Sequence, residues 1–156
     1  KAAPDCHLIY GWLQVGTVLA GAEIAHAPAW AAFHPHCVGG RGPRNTLYIA
    51  TDRLTINGYP TTLPGAGYFP HYCDALCLTA PGRLRTQWRL PRWFYPDGDR
   101  PPLSYHADPT RWSCAGEYTY LCSAMRGQEF VLDCTSYPEA VPWAASMLAA
   151  ATPLGS

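Results

Sequence analysis

CHLIYGWLQV, residues 6–15, is the stretch whose reading decides the fold. It is apolar, β-branched and aromatic over strand length, and Gly11 in its middle suits a bulge or the close approach of another backbone. The pattern predicts a core strand in which Leu8, Tyr10, Trp12 and Gln14 share one face. Gln14 then points either into the same cavity as Trp12 or, at the strand end, into solvent. Val18–Leu19 continue the strand beyond Gly16.

Short elements follow outward from it. Glu23–Phe33 is helix-forming in composition, but Pro28 interrupts it and predicts a short helix beginning near that proline. Thr46–Ala50 (TLYIA) reads as a buried strand, with Leu54–Ile56 extending it or forming an edge. Gly58–Tyr72 reads as a loop rich in proline, glycine and tyrosine. Ala75–Thr79 is a further short strand ended by Pro81–Gly82. Thr86–Pro96 gathers Trp88, Trp93, Phe94 and Tyr95 around Pro91, as a core or the floor beneath a loop, or alternatively as a stacking surface for a base. Tyr118–Cys122 and Glu129–Cys134 form a predicted β-hairpin. Ser136–Glu139 matches the S-x-x-E capping box, and apolar positions 141, 144, 147, 148 and 151 follow helical spacing. An amphipathic helix therefore closes the chain to about Ala151, with Pro142 in its first turn, and Thr152–Ser156 fray.

The 156 residues suffice for one domain, and a 48% apolar fraction supports a buried core. Formal charge is zero with 14% charged residues, which excludes holding duplex DNA by phosphate neutralisation alone. Sixteen prolines and fourteen glycines favour short elements and many turns over long helices. The cysteine count, seven, is odd and contains no C-x-x-C spacing, so most are expected to be reduced and buried in a cytoplasmic protein. No run has the length of a membrane span, and the start does not read as a signal peptide. Lys1 stands first instead of Met, as in an expressed fragment, a trimmed product or a piece of a longer protein.

Reactive groups are densest in LSYHADPTRW, residues 103–112. Asp108–Pro109 reads as a helix start, with the carboxylate as N-cap and proline in the first helical position. Ser104 and His106 alternate along an extended run and face one way, with Tyr105 opposite, while Arg111 and Trp112 share a short helical turn. The plainer reading is a polar turn whose His and Asp tie down a loop. His34–Pro35–His36–Cys37 is the second dense point. Pro35 keeps His34 extended, so both imidazoles lie on one side, lining a polar pocket or closing a loop. The spacing matches no standard zinc pattern, and neither metal nor cofactor is expected. Gly39–Asn45 (GGRGPRN) is a glycine-rich turn without the Lys-Ser/Thr ending of a P-loop, leaving Arg41 or Arg44 for an anion contact.

HLIYGWLQVG at 7–16, HPH at 34–36, NTLYIATDRL at 45–54, LTAPG at 78–82, WRLPRWF at 88–94, LSYHADPTRW at 103–112 and GQEFVLDCTSYPEAVPW at 127–143 together resemble the nucleotide modification associated domain 3 family. The match runs in order over almost the whole chain. It is similar to the later part of the family's length, which implies a further segment ahead of the first tryptophan strand in other members. The strand-rich layout that begins with an apolar strand containing Gly-Trp also resembles PUA-like barrels, which include base-reading modules. The expected fold is therefore α+β: one β-rich domain over 1–156 with an ordered core of about 6–151. A mixed or antiparallel sheet would curl toward a PUA-like barrel, with short helices and the C-terminal amphipathic helix.

The family resemblance implies a nucleotide- or modified-base-recognising domain associated with DNA base modification. Trp12 or Trp112 would stack the base, Gln14, Asn45 and Gln128 would read its polar edge, and Arg41 or Arg111 would meet a phosphate. His34, His36, Ser104 and Tyr105 would complete the walls. The alternative is an enzyme on a nucleotide or modified base, with His106 as general acid or base and Asp108 or Glu129 as its partner. Ser104 with His106 as a nucleophile pair lacks the G-x-S-x-G elbow. A third class is a non-catalytic domain that binds a protein partner or a second copy of itself.

Overall fold

Residues 5–39, 42–43, 45–126 and 129–151 are described in the structure, a computed structural model, and the run from Cys6 to Val15 is not a single strand in it. The chain forms two compact units, Gly11–Tyr68 and the segments flanking it on either side, so the run is divided at Tyr10. Within the flanking unit Phe69 N donates to Tyr10 O at 2.8 Å, so the chain leaves and returns at one hydrogen-bonded point.

The Gly11–Tyr68 unit holds three two-stranded antiparallel sheets. Its strands are β1 (Gly11–Leu13), β2 (Val15–Ala20), β3 (Thr46–Ala50), β4 (Arg53–Ile56), β5 (Tyr59–Pro64) and β6 (Ala66–Tyr68). β1 pairs with β6, β2 with β3 across a register shift between Val15 and Thr17, and β4 with β5. Pro28 precedes a short 3-10 helix at Ala29–Ala31 as expected, and a second 3-10 turn, Gly21–His26, lies before it. The expected loop at 58–72 is corrected to two strands. Its cause is Asn57–Gly58, with φ of 51° and 80°, which forms the two-residue turn whose twist suits a hairpin. Gly11 does allow a close approach, because a Cβ there would run into the Gly67 carbonyl.

The flanking unit contains the main core. Segment 5–10 lies beside 76–79, with Ile9 N donating to Leu76 O and Leu78 N to His7 O. Leu8 and Tyr10, expected inside, are exposed, and His7 is buried instead. The strand expected at Ala75–Thr79 is a 3-10 turn at Asp74–Leu76 followed by isolated bridges at Cys77 and Thr79. A three-stranded antiparallel sheet follows, in the order β7 (Gln87–Pro91), β9 (Tyr118–Cys122), β8 (Trp112–Ala115). The hairpin partner of Tyr118–Cys122 is therefore the preceding strand and not Glu129–Cys134, of which 129–134 carries no strand. Gly116, at φ 56° in the first position of a two-residue turn, makes that connection tight.

Register explains the sheet's two faces. Trp88 pairs with Leu121 and Leu121 with Trp112, and one row on, Leu90 pairs with Thr119 and Thr119 with Cys114. These six side chains point inward. Phe94 and Leu103 join them in the core, and Trp93, Phe130 and Trp143 pack against it. Helix α1 (Ala140–Ala151) packs Trp143 against the core and buries Met147, Leu148 and Ala151, with Pro142 in its first turn as expected. The expected capping box is not formed, because the helix starts at Ala140 and Ser136 does not stand at its N-cap, while Glu139 Oε1 accepts from Arg100 Nη2 at 2.9 Å. The fold is thus α+β and mostly sheet, in four small sheets with no closed barrel among the described residues. All seven cysteines are unpaired, five half-buried and Cys122 and Cys134 exposed, so their burial is less than expected. Among the described residues no helix is long and apolar enough to cross a membrane.

One polar contact inside this core sets its arrangement. The Trp88 indole N–H, fully buried, donates to His7 Nδ1 at 2.8 Å. An indole nitrogen only donates, so His7 Nδ1 must be the bare acceptor and Nε2 carries the proton, which faces Met125 O at 3.3 Å. Replacing His7 by leucine strands that indole N–H, and urea unfolding should show a loss of about 1–3 kcal/mol. At Gly58 a Cβ would meet no atom within 4 Å, so only its positive φ resists substitution. Gly58→Ala should therefore cost about 1 kcal/mol, and Gly11→Ala, which strikes backbone, should unfold at a lower urea concentration than Gly58→Ala.

Candidate functional site

Strand alternation that buries Trp88, Leu121 and Trp112 turns their neighbours outward. The open face carries Gln87, Arg89, Tyr120, Tyr118, Ser113 and Ala115, and Tyr120 stands in register with Arg89 on one side and Ser113 on the other. A shallow groove of about 460 Å³ lies on it, lined among others by Arg83, Gln87, Thr110, Arg111, Ser113 and Tyr120. Arg83 enters no ion pair among the described residues, and Arg111 Nε is 3.7 Å from Asp108 Oδ2 with both side chains about half exposed. A phenol ring flanked by an amide, a hydroxyl and two guanidinium groups can stack a planar ring, read its edge and hold an anion.

LSYHADPTRW supplies one rim of this groove, and most of its other polar groups are spent on the loop itself. His106 N donates to Leu103 O at 3.0 Å, so 103–106 is a turn and not the expected extended run. Tyr105 has φ 65° and is 64% exposed, opposite the inward His106. Ser104 Oγ accepts from Val131 N at 2.7 Å. Asp108 caps a 3-10 turn at Pro109–Arg111 as expected, its Oδ1 accepting from Thr110 N at 2.9 Å and Thr110 Oγ1 at 2.7 Å. The Thr110 hydrogen bonds, with Arg111 beside them, hold that carboxyl below the usual carboxylate range. Trp112 is buried, and its indole N–H donates to His106 O at 2.7 Å.

His106 is 1% exposed and lies edge-on to Trp88 with ring centroids 5.3 Å apart. Both of its ring nitrogens are without a hydrogen bond among the described residues. Burial, with the Arg111 charge as a second cause, pushes its pKa below the ordinary histidine value. The folded state thus prefers the neutral ring, whereas the unfolded chain takes up a proton at the ordinary value. Stability from this group is full above about pH 6.5 and falls as the pH drops toward the lowered pKa. Urea midpoints measured from pH 8 to 5 should decline, and His106→Leu should flatten that decline whatever it does to stability at pH 8.

Five other residues singled out by sequence belong to the Gly11–Tyr68 unit. Trp12 is half-buried over Gly67, and its Nε1 donates to Pro64 O at 3.2 Å. Gln14 bridges to Thr55, Nε2 donating to its O at 2.8 Å and Oε1 accepting from its N at 2.7 Å, with Thr51 Oγ1 donating at 3.1 Å. His34, His36 and Asn45 come together in one turn. His36 N donates to His34 Nδ1 at 3.2 Å, Asn45 Nδ2 donates to His36 O at 2.8 Å, and the imidazole centroids are 5.3 Å apart. Glu129 is exposed, and Arg41 and Gln128 lie outside the described residues. Among the described residues no group of three or more His, Cys, Asp or Glu is placed to hold a metal ion. Arg83, Gln87, Ser113 and Tyr120 were missed from sequence, although the alternation in QWRLP and YTYLC marks the outward faces of both strands.

No curated protein and no solved structure matches the chain. A family model, nucleotide modification associated domain 3, matches residues 1–133. Over that span the chain belongs to the nucleotide modification associated domain 3 family.

Proposed function

We propose that this chain recognises a nucleotide or modified base within a nucleotide modification system, and that the groove on the open β7–β9–β8 face receives it. The observation that carries the proposal is Tyr120, in register with Ser113, lining one groove with Gln87, Arg83 and Arg111. The base would lie on the Tyr120 ring, Gln87 and Ser113 would read its edge, and the two arginines would hold the phosphate. A neutral chain with a local arginine pair suits one small anion better than a long duplex. Family membership supports a nucleotide as the ligand, and the Gly-Trp strand that resembles base-reading PUA-like modules is a weaker, fold-level support. The alternative with His106 as general acid or base has in its favour a buried ring kept neutral near pH 7. Against it, the Asp108 carboxylate is engaged by Thr110 and Arg111 and not by the imidazole.

Titration of the protein with thymidine and with thymidine 5′-monophosphate, followed by NMR shifts or calorimetry, tests this reading. The monophosphate should bind more tightly than the nucleoside. Arg83→Ala and Arg111→Ala should each weaken the monophosphate roughly tenfold, as expected for a charge-assisted hydrogen bond, and leave the nucleoside unchanged. Tyr120→Ala should weaken both. Equal binding of the two ligands to the unmodified protein would remove the arginines from the phosphate role, and shifts confined to the Gly11–Tyr68 unit would remove the groove.

A further inference from the structure

The open face continues beyond the groove, and its geometry bears on how many bases it can take. Tyr118 is two residues from Tyr120 on the same strand, so both rings project from the same side of the sheet. Its cross-strand neighbours are Pro91 and Ala115, both short, and the ring is 43% exposed. The Arg89 guanidinium lies 4.7 Å from the Tyr118 ring centroid, while Arg89 itself is in register with Tyr120. The cation therefore lies over the Tyr118 ring, from a strand position paired with Tyr120.

Two residues along a strand span about 7 Å. Neighbouring bases in a duplex are about 3.4 Å apart along the axis, so a stacked helix cannot place successive bases on Tyr120 and Tyr118. An extended single strand can, because its bases move apart as its backbone straightens. The phosphate that joins the two nucleotides would then fall near Arg89. We infer that the β7–β9–β8 face binds an extended single strand, with one base on Tyr120, the next on the Tyr118–Arg89 platform, and Arg83 and Arg111 holding the phosphate beyond the first. This rests on the groove reading above, and it adds the ligand class: single-stranded nucleic acid of at least two nucleotides, or a locally opened segment of a duplex.

Competition binding at fixed salt with thymidine 5′-monophosphate, the 5′-phosphorylated thymidine dinucleotide, a thymidine oligomer and a DNA hairpin duplex tests it. The dinucleotide and oligomer should bind roughly 5- to 150-fold more tightly than the monophosphate, the range that one added base–aromatic stack contributes. Tyr118→Ala should return the dinucleotide to the affinity of the monophosphate without changing the latter, and Tyr118→Phe should keep the dinucleotide affinity. Thermal melts of both variants confirm that this exposed site leaves the fold intact. A dinucleotide no tighter than the monophosphate, an equal loss of both ligands in Tyr118→Ala, or a duplex that competes as well as the oligomer would overturn the single-strand inference and leave the groove reading standing. If neither the monophosphate nor the dinucleotide binds, both fall.

Discussion

An indole sealed inside a core needs an acceptor for its N–H, and the buried Trp88 at the centre of the flanking unit's core meets that requirement across the chain. His7 meets it for Trp88, and His7 is itself tied to segment 77–80 by its own N–H on Thr79 Oγ1 at 2.8 Å. Segment 5–10 is thereby fixed against the sheet although its two largest apolar side chains, Leu8 and Tyr10, face outward. With Trp88 held inward, the period of the strand leaves Gln87 and Arg89 no choice but the outer face. A slip of one residue would bury a guanidinium without a partner, so the inner hydrogen bond and the outer polar row enforce one register.

The segment densest in reactive side chains divides its labour unevenly. Ser104 closes onto Val131, Asp108 onto Thr110, and the His106 backbone onto the Trp112 indole, which together hold a turn with a tyrosine in a left-handed conformation. Such a conformation in a non-glycine residue persists only where the surroundings fix it. The product of all this local bonding is the placement of Arg111, whose guanidinium is left at the groove rim. Polar density along a sequence is thus a guide to where a chain must be tied down.

What the sequence made legible follows from period and punctuation. TLYIA, the alternating YTYLC and the apolar positions 141, 144, 147, 148 and 151 each mark an element that the structure contains, although TLYIA buries only Leu47 and the helix buries 147, 148 and 151 but not 141 or 144. The hairpin at 53–64 was hidden because prolines at 60 and 64 argue for a loop, yet both sit in a strand of a two-stranded sheet, where a missing N–H can face outward. Segment 6–15 misled because its apolar run is shared between two units, and periodicity within ten residues cannot say where one packing partner ends and another begins. The groove was partly legible through Arg111. Gln87 reaches the groove through pairing with Cys122, thirty-five residues on, a relation that no local pattern encodes.

The hydrogen bond from Phe69 to Tyr10 pins the two ends of the Gly11–Tyr68 excursion together within the flanking unit. Once such a neck is closed, lengthening or shortening what hangs from it changes the closure entropy only logarithmically. Natural variation in chain length among related proteins should therefore accumulate between those two residues, while the sheet that carries the tyrosines keeps its spacing.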